Sequence, residues 1–207
     1  MKIRFILSAS ILCLLFAQLS CNVAGAIAAK TVGERVPAVY VPVPTDPILV
    51  IAETFRSSSA MAVDTDQLAR FVTDELSRHK IAPTIDPVKV MDLRSSNPGA
   101  FRKMTISEIG RKFGAKQVLY INVTDSGIDT AGVAVVMRGQ ASAKVKIVDV
   151  DTSDSRWPED AAEGYPVNAS TTYQKVEQGV TESSVRRDLQ ETFAMQIAQL
   201  FRTYQRG

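Results

Sequence analysis

Apolar residues along this chain form two kinds of pattern, short continuous runs and stripes with helical spacing. Residues 48–52 are a continuous run, Ile-Leu-Val-Ile-Ala, which is typical of a strand buried on both faces. The next stripe recurs in steps of three and four, and it predicts a helix that Asp64 or Thr65 can cap. Its members are Leu68, Phe71, Val72 and Leu76.

The middle of the chain predicts a short strand and a capped helix. Pro87 ends any continuation of the first helix, and residues 88–90, Val-Lys-Val, are expected to form a short second strand. Thr105 and Glu108 match a capping box at a helix start. Gly114 stands where the end of that helix needs a positive φ.

The second half of the chain predicts antiparallel strands and a closing helix. Residues 117–124 are typical of a central strand, and alternating apolar and polar positions up to Asp151 indicate a half-buried antiparallel strand. Trp157 and residues 167–173 predict a further hairpin or edge strand. The last apolar stripe predicts a terminal helix that packs in the core: Val185, Leu189, Phe193, Ile197, Leu200, Phe201 and Tyr204.

This order of elements predicts an α+β fold with a mixed sheet. We expect about five strands, mostly antiparallel in the second half, with two or three helices packed on one face. Residues 48–207 are expected to form one domain, since their length suits a single core.

The first 28 residues have the pattern of a secretory leader. Lys2 and Arg4 give a positive start, and residues 5–29 carry no charge and end in small residues. Such a leader predicts export. A minority interpretation keeps this segment as an uncleaved membrane anchor, although five polar residues interrupt it.

Two cleavage sites compete within this leader. Leu19-Ser20-Cys21 resembles the lipobox of bacterial lipoproteins, which predicts that Cys21 is lipidated and becomes the new N-terminus. The alternative is ordinary cleavage after Ala26 or Ala28. Residues 29–47 hold four prolines, and they predict an extended tether between the leader and the domain.

Charge and residue types exclude several functions. The chain has 24 Lys and Arg residues and 22 Asp and Glu residues. Lys2 and Arg4 supply the excess, so residues 21–207 have no basic surplus of the kind that nucleic-acid binding uses. His79 is the only histidine, and no Cys follows Cys21, so zinc sites and thiol nucleophiles are not expected. No phosphate-binding or dinucleotide-binding glycine motif occurs. We therefore expect neither an enzyme nor a cofactor.

One acidic segment has the spacing of a calcium loop. Asp149, Asp151, Ser153 and Asp160 stand at positions 1, 3, 5 and 12 of such a loop. Position 6 is Asp154 where the loop needs Gly, and the preceding residues predict a strand where it needs a helix. A solvated acidic hairpin is therefore the preferred interpretation, and no metal is required.

A longer stretch resembles known envelope proteins. A short helix ending in Gly114-Ala115 leads into the strand 117–123, and a later strand ends in the residues 148–152, Val-Asp-Val-Asp-Thr, before a turn. This order is similar to the amino-terminal domain of TolB and to the curli-secretion lipoproteins. Ser153 and Asp154 replace the glycine usual in that turn. The resemblance implies an α/β fold in the cell envelope and no catalytic residue.

These observations predict an exported cell-envelope protein with a non-catalytic binding or assembly role. We expect it to be held by a lipid anchor at the periplasmic face of the outer membrane, or to lie in the periplasm without lipid, and to contact an envelope protein partner. Two alternatives are a soluble ligand-binding domain and a hydrolase that uses carboxylates. A cavity with convergent acids would favour the hydrolase, and an apolar cavity with few polar groups would favour the ligand-binding domain.

Overall fold

The computed structural model describes residues 34–54, 62–131, 136–175 and 179–206. The chain divides into two units. The larger unit, residues 38–202, is the α/β domain. The smaller unit is described only at 34–37 and 203–206, where two short strands pair antiparallel.

The described residues form nine strands and five helices. The strands are β1 (Glu34–Val36), β2 (Ile48–Glu53), β3 (Thr84–Ile85), β4 (Gln117–Ala131), β5 (Val136–Asp149), β6 (Ser155–Trp157), β7 (Tyr165–Ser170), β8 (Gln174–Lys175) and β9 (Tyr204–Arg206). The helices are α1 (Thr65–Arg78), α2 (Val88–Ser96), α3 (Pro98–Phe101), α4 (Ile106–Lys112) and α5 (Glu182–Gln199).

The domain is built on a seven-stranded mixed sheet. Its strand order is β3-β2-β4-β5, and β6, β7 and β8 all pair with β5. Strand β2 is parallel to both β3 and β4. All remaining pairs in this sheet are antiparallel, with a bulge between Val123 and Asp125. The predicted α+β class with an antiparallel second half is confirmed.

Alternate residues of the central strands enter two separate hydrophobic clusters. Val50 and Leu119 belong to the cluster that includes the apolar faces of α1 and α5. Ile51 and Val118 belong to a second cluster, which includes Ile109 of α4 together with residues of α2 and α3. Helices therefore cover both faces of the sheet, where we expected them on one, and the sheet has two more strands than expected.

Helix α4 approaches the sheet at one glycine. A Cβ atom on Gly110 would lie 2.7 Å from side-chain methyl carbons of both Val118 and Val150. Only a residue without a side chain allows this distance between α4 and the sheet. The capping box of Thr105 with Glu108 starts the helix as predicted.

The predicted strand at residues 88–90 is wrong, because these residues begin α2. The side chain of Asp86 accepts a hydrogen bond from the backbone N–H of Val88, and Pro87 has helical backbone angles. Proline is well suited to a helix start, since its missing N–H has no partner there in any helix. The second strand lies just before this point, at Thr84–Ile85.

The terminal helix packs into the core, as its stripe predicts. Val185, Leu189, Phe193 and Ile197 are fully buried. The helix ends at Gln199, so Tyr204 lies in strand β9 and does not extend the helical stripe as predicted.

Part of the predicted tether contacts the domain. The backbone N–H groups of Val39 and Tyr40 donate to the carbonyl of Leu200. The side-chain amide of Gln117 donates to the carbonyls of Val43 and Asp46, at 3.0 Å each. Backbone groups between residues 39 and 46 therefore bond to the end of α5 and to β4.

Candidate functional site

The chain reverses its winding at the carboxyl end of β2. It leaves β2 through α1, which packs on one face of the sheet, and it enters β4 from α4, which packs on the other. Since β3 and β4 lie on opposite sides of β2, the two connections diverge there. In α/β sheets, the gap left at such a point is the usual place of a ligand site.

Two cavities open at this end of β2, each with a volume of about 470 Å³. Both are lined by Glu53, Phe101 and Arg102, and we call them together the crevice. The Tyr120 cavity is also lined by Ile51, Met104, Thr105, Ile106, Ile109 and Tyr120. The Arg94 cavity is also lined by Thr54, Thr65, Arg94 and Pro98. These volumes lie in the range of small-molecule sites.

Tyr120 and Glu53 form the polar contact inside the crevice. The hydroxyl of Tyr120 donates to Oε2 of Glu53 at 3.1 Å. Burial, together with the negative charge of Glu53, raises the pKa of the Tyr120 hydroxyl. The ammonium of Lys146, on β5, lies 5.6 Å from the centre of the Tyr120 ring. The hydroxyl therefore stays protonated at neutral pH and acts as a fixed donor.

Arg94 pairs with two carboxylates beside the crevice. Its Nη1 lies 2.6 Å from Oδ1 of Asp66, and its Nη2 lies 3.8 Å from Oε1 of Glu53. The guanidinium also lies 5.0 Å from the centre of the Phe101 ring, within cation–π range. This arginine joins α1, α2, α3 and the end of β2.

Arg102 differs from Arg94 in its contacts. It is exposed and lines both cavities. Within the ranges that the structure describes, its side chain takes part in no hydrogen bond and no ion pair, while its backbone N–H, directly after α3, donates to the carbonyl of Pro98. It therefore gives the crevice a cation that is available to a ligand.

The three charged residues of the crevice and its tyrosine were not predicted from the sequence as site residues. Glu53, Arg94, Arg102 and Tyr120 lie on different elements, and no spacing along the chain connects them. One signal was present. Glu53 directly follows the buried run of β2, and a polar residue at the carboxyl end of a parallel strand is a candidate site residue.

The proposed calcium-loop residues build a turn in the structure. The carboxylate of Asp149 accepts from the backbone N–H groups of Asp151 and Thr152, and it pairs with Arg156. These hydrogen bonds, that of Thr152 foremost, hold the pKa of Asp149 below its ordinary value. Asp151 pairs with Lys116.

The rest of that acidic segment adds no cation site. Ser153 adopts the left-handed conformation of the turn, with φ of 69°, and Asp160 is exposed. Across the described ranges, no three acidic, His or Cys side chains are grouped so as to hold a metal.

His79 and Cys21 are the remaining residues considered in the sequence analysis. His79 caps the end of α1, and its Nε2 lies 3.4 Å from a carboxylate oxygen of Glu75. Cys21 and the leader lie outside the described residues. In the part of the chain that the structure covers, no helix combines the length and apolar character needed to span a bilayer.

A third cavity, of about 490 Å³, lies between α1 and the start of α2. Asp74 and Asp86 line it, together with Arg70. Both aspartates are exposed, and Asp86 accepts a hydrogen bond from the backbone N–H of Val88. Exposed carboxyl groups lack the burial that turns one of two acids into a proton donor, so this groove is a poor candidate for carboxylate catalysis.

Comparison with known proteins gives distant structural similarity only. No protein-family model and no curated protein sequence matches the chain. Lipoprotein GNA1162 from Neisseria meningitidis is 18% identical over 74% of this chain and 97% of its own, with a TM-score of 0.43. The PelC dodecamer from Paraburkholderia phytofirmans is 15% identical over 79% and 95%, with a TM-score of 0.40. The LpoB C-terminal domain from Salmonella enterica is 13% identical over 61% and 82%, with a TM-score of 0.37.

Proposed function

We propose that this protein is an exported cell-envelope protein that binds a ligand in the crevice without chemical turnover. Export rests on the leader pattern, with its basic start and uncharged apolar stretch. Lipid on Cys21 would hold the protein on the periplasmic face of the outer membrane. An envelope protein partner remains part of this proposal.

The observation that carries the binding role is the composition of the crevice. Its Tyr120 cavity has an apolar wall, made by Ile51, Ile109 and Phe101, and only a few polar groups. A small number of polar groups within an apolar wall is typical of a ligand site.

The contacts made by the carboxylates of Glu53 and Asp66 argue against hydrolysis in the crevice. A carboxylate hydrolase needs two carboxyl groups that face each other across the substrate. Glu53 faces Tyr120 and Arg94 instead, and Asp66 lies against the same arginine. These contacts position the side chains and leave no pair of acids that could divide the roles of proton donor and base.

Binding of a neutral aromatic probe tests this proposal. N-phenyl-1-naphthylamine fluoresces in apolar surroundings, and we expect it to bind the purified protein saturably at one site per chain. In Met104→Trp, an indole ring replaces the smaller methionine side chain. We expect it to fill the Tyr120 cavity and to abolish this binding. The matched control is Met195→Trp, because Met195 is 40% exposed on α5 and lines neither cavity.

The outcome is decided by comparing the three proteins after circular dichroism has shown that all are folded. Equal probe binding by Met104→Trp and the unmodified protein would place the bound probe elsewhere. Absence of saturable binding to the unmodified protein would remove the proposed function.

A further inference from the structure

The crevice combines an apolar wall with a cation whose side chain has no partner among the described residues. Apolar side chains form the wall of the Tyr120 cavity, and Arg102 lines both cavities. The acids near it are already engaged: Glu53 with Tyr120 and Arg94, and Asp66 with Arg94. Thus Arg102 is the lining cation whose side chain forms no ion pair with any carboxylate among the described residues.

This arrangement selects the charge of a ligand. An anionic group beside Arg102 gains a charge-assisted hydrogen bond, which is stronger than a neutral one. A cationic group would have to compete with Arg94 for the carboxylate of Glu53, because Nη2 of Arg94 already lies 3.8 Å from Oε1 of Glu53. The carboxylate of Glu53 would in turn repel a second negative group, which limits the ligand to one anionic end.

We propose that the crevice binds an organic monoanion with an apolar body, an inference that rests on the proposed function. The anionic group pairs with Arg102, and the body lies on Ile51, Ile109 and the Phe101 ring. A carboxylate, sulfonate or phosphate ester attached to an acyl or aryl group has this chemistry.

Two fluorescent probes with the same ring system separate charge from apolar contact. One is 1-anilinonaphthalene-8-sulfonate, and the other is N-phenyl-1-naphthylamine, which lacks only the sulfonate. We expect the purified protein to bind the sulfonate about tenfold more tightly, since hydrogen bonds to charged groups contribute on that order. In Arg102→Gln, the two affinities should become nearly equal while that of the neutral probe is unchanged.

The matched control is Lys103→Gln. Lys103 is the exposed neighbour of Arg102, carries the same charge and lines neither cavity. This variant should keep the preference for the sulfonate, which would show that contact with Arg102 and not the general field determines it. Added salt should weaken the preference, because Arg102 is exposed.

Three results would overturn the inference. They are equal binding of both probes to the unmodified protein, a preference that survives in Arg102→Gln, and an equal loss in Lys103→Gln. If the neutral probe still binds and Met104→Trp abolishes its binding, the proposed function stands and only the anion preference fails. If the neutral probe does not bind the unmodified protein, the proposed function itself fails.

Discussion

The hydroxyl of Tyr120 donates to the carboxylate of Glu53 at 3.1 Å, and this contact joins the first part of β4 to the end of β2. The two residues are not register partners: Glu53 pairs with Asn122, and Tyr120 pairs with Ile51. Both side chains nevertheless reach the same cavity. The contact fixes the orientation of the Glu53 side chain. Without it, the carboxylate could turn into the crevice.

Removing this hydroxyl should lower stability and change its dependence on alkaline pH. We expect Tyr120→Phe to reduce the free energy of unfolding by about 1–3 kcal/mol at neutral pH, since a partly buried hydrogen bond to a charged group is lost. The pKa of Tyr120 is raised in the folded protein. Its contribution is therefore fully present below the ordinary tyrosine pKa of 10.0 and is lost as pH rises above that value.

Urea denaturation at a series of pH values from neutral to above 10 measures both effects. Tyr120→Phe should show a shallower loss of stability with rising pH than the unmodified protein. Tyr173→Phe is the control, because the Tyr173 side chain is 54% exposed and its ring lies against Arg138. If both variants behave alike, the hydroxyl of Tyr120 has no special role.

Asp149 should make stability depend on acidic pH. The pKa of this carboxyl is lowered by hydrogen bonds from the turn and from Arg156. Because the folded pKa lies below the ordinary value of 3.8, its contribution is present above that value and is lost as pH falls through the folded pKa. At neutral pH, we expect Asp149→Asn to cost about 1–3 kcal/mol, since the charged bond to Arg156 is lost.

The difference between Asp149→Asn and the unmodified protein should shrink as the pH is lowered below 3.8. Thermal denaturation at matched pH values measures it. Asp154→Asn removes an exposed carboxylate in the same turn and should change stability by less than about 0.5 kcal/mol. A cost for Asp149→Asn that is constant with pH would contradict the assignment.

The elements predicted correctly from the sequence are those whose signals are local. The capping box of Thr105 and Glu108 needs only four residues, and so does the cap at Asp64. The strand predicted at residues 88–90 is wrong, because the β propensity of two valines is outweighed by the hydrogen bond from Val88 N–H to Asp86 and by the helical angles of Pro87.

Placement of the helices could have been predicted better. A strand that is apolar on both faces needs a covering layer on each, and the run in β2 is buried on both. Helices on both sides of the sheet follow from that run alone. The crevice could not be predicted in this way, since the distances between Glu53, Arg94 and Tyr120 are set by the packing of separate elements.

The mature N-terminus tests the export part of the proposal. We expect mass spectrometry of the protein isolated from envelope membranes to find an acylated Cys21 as its first residue. Cys21→Ser should then release the protein into the soluble fraction, whereas Cys13→Ser, within the apolar part of the leader, should not. An unmodified N-terminus at Ile27 or Ala29 would contradict lipidation and leave export intact.

The terminal helix should be essential for folding, since its buried stripe contacts the sheet and α1. Phe193 is fully buried in the same cluster as Leu68 and Leu119. Phe193→Ala should lower the free energy of unfolding by about 3–5 kcal/mol, through lost apolar burial and the cavity left behind. Met195→Ala, on the exposed side of the same helix, should cost less than about 0.5 kcal/mol.

Truncation before Thr181 extends the same test to the whole helix. Net stability of domains of this size is about 5–15 kcal/mol, so removing four fully buried side chains should abolish the cooperative transition. Calorimetry and size-exclusion chromatography measure this directly. A truncated protein that stays monomeric and melts cooperatively would show that α5 is a docking element, because a helix needed for the core cannot be removed without unfolding the domain.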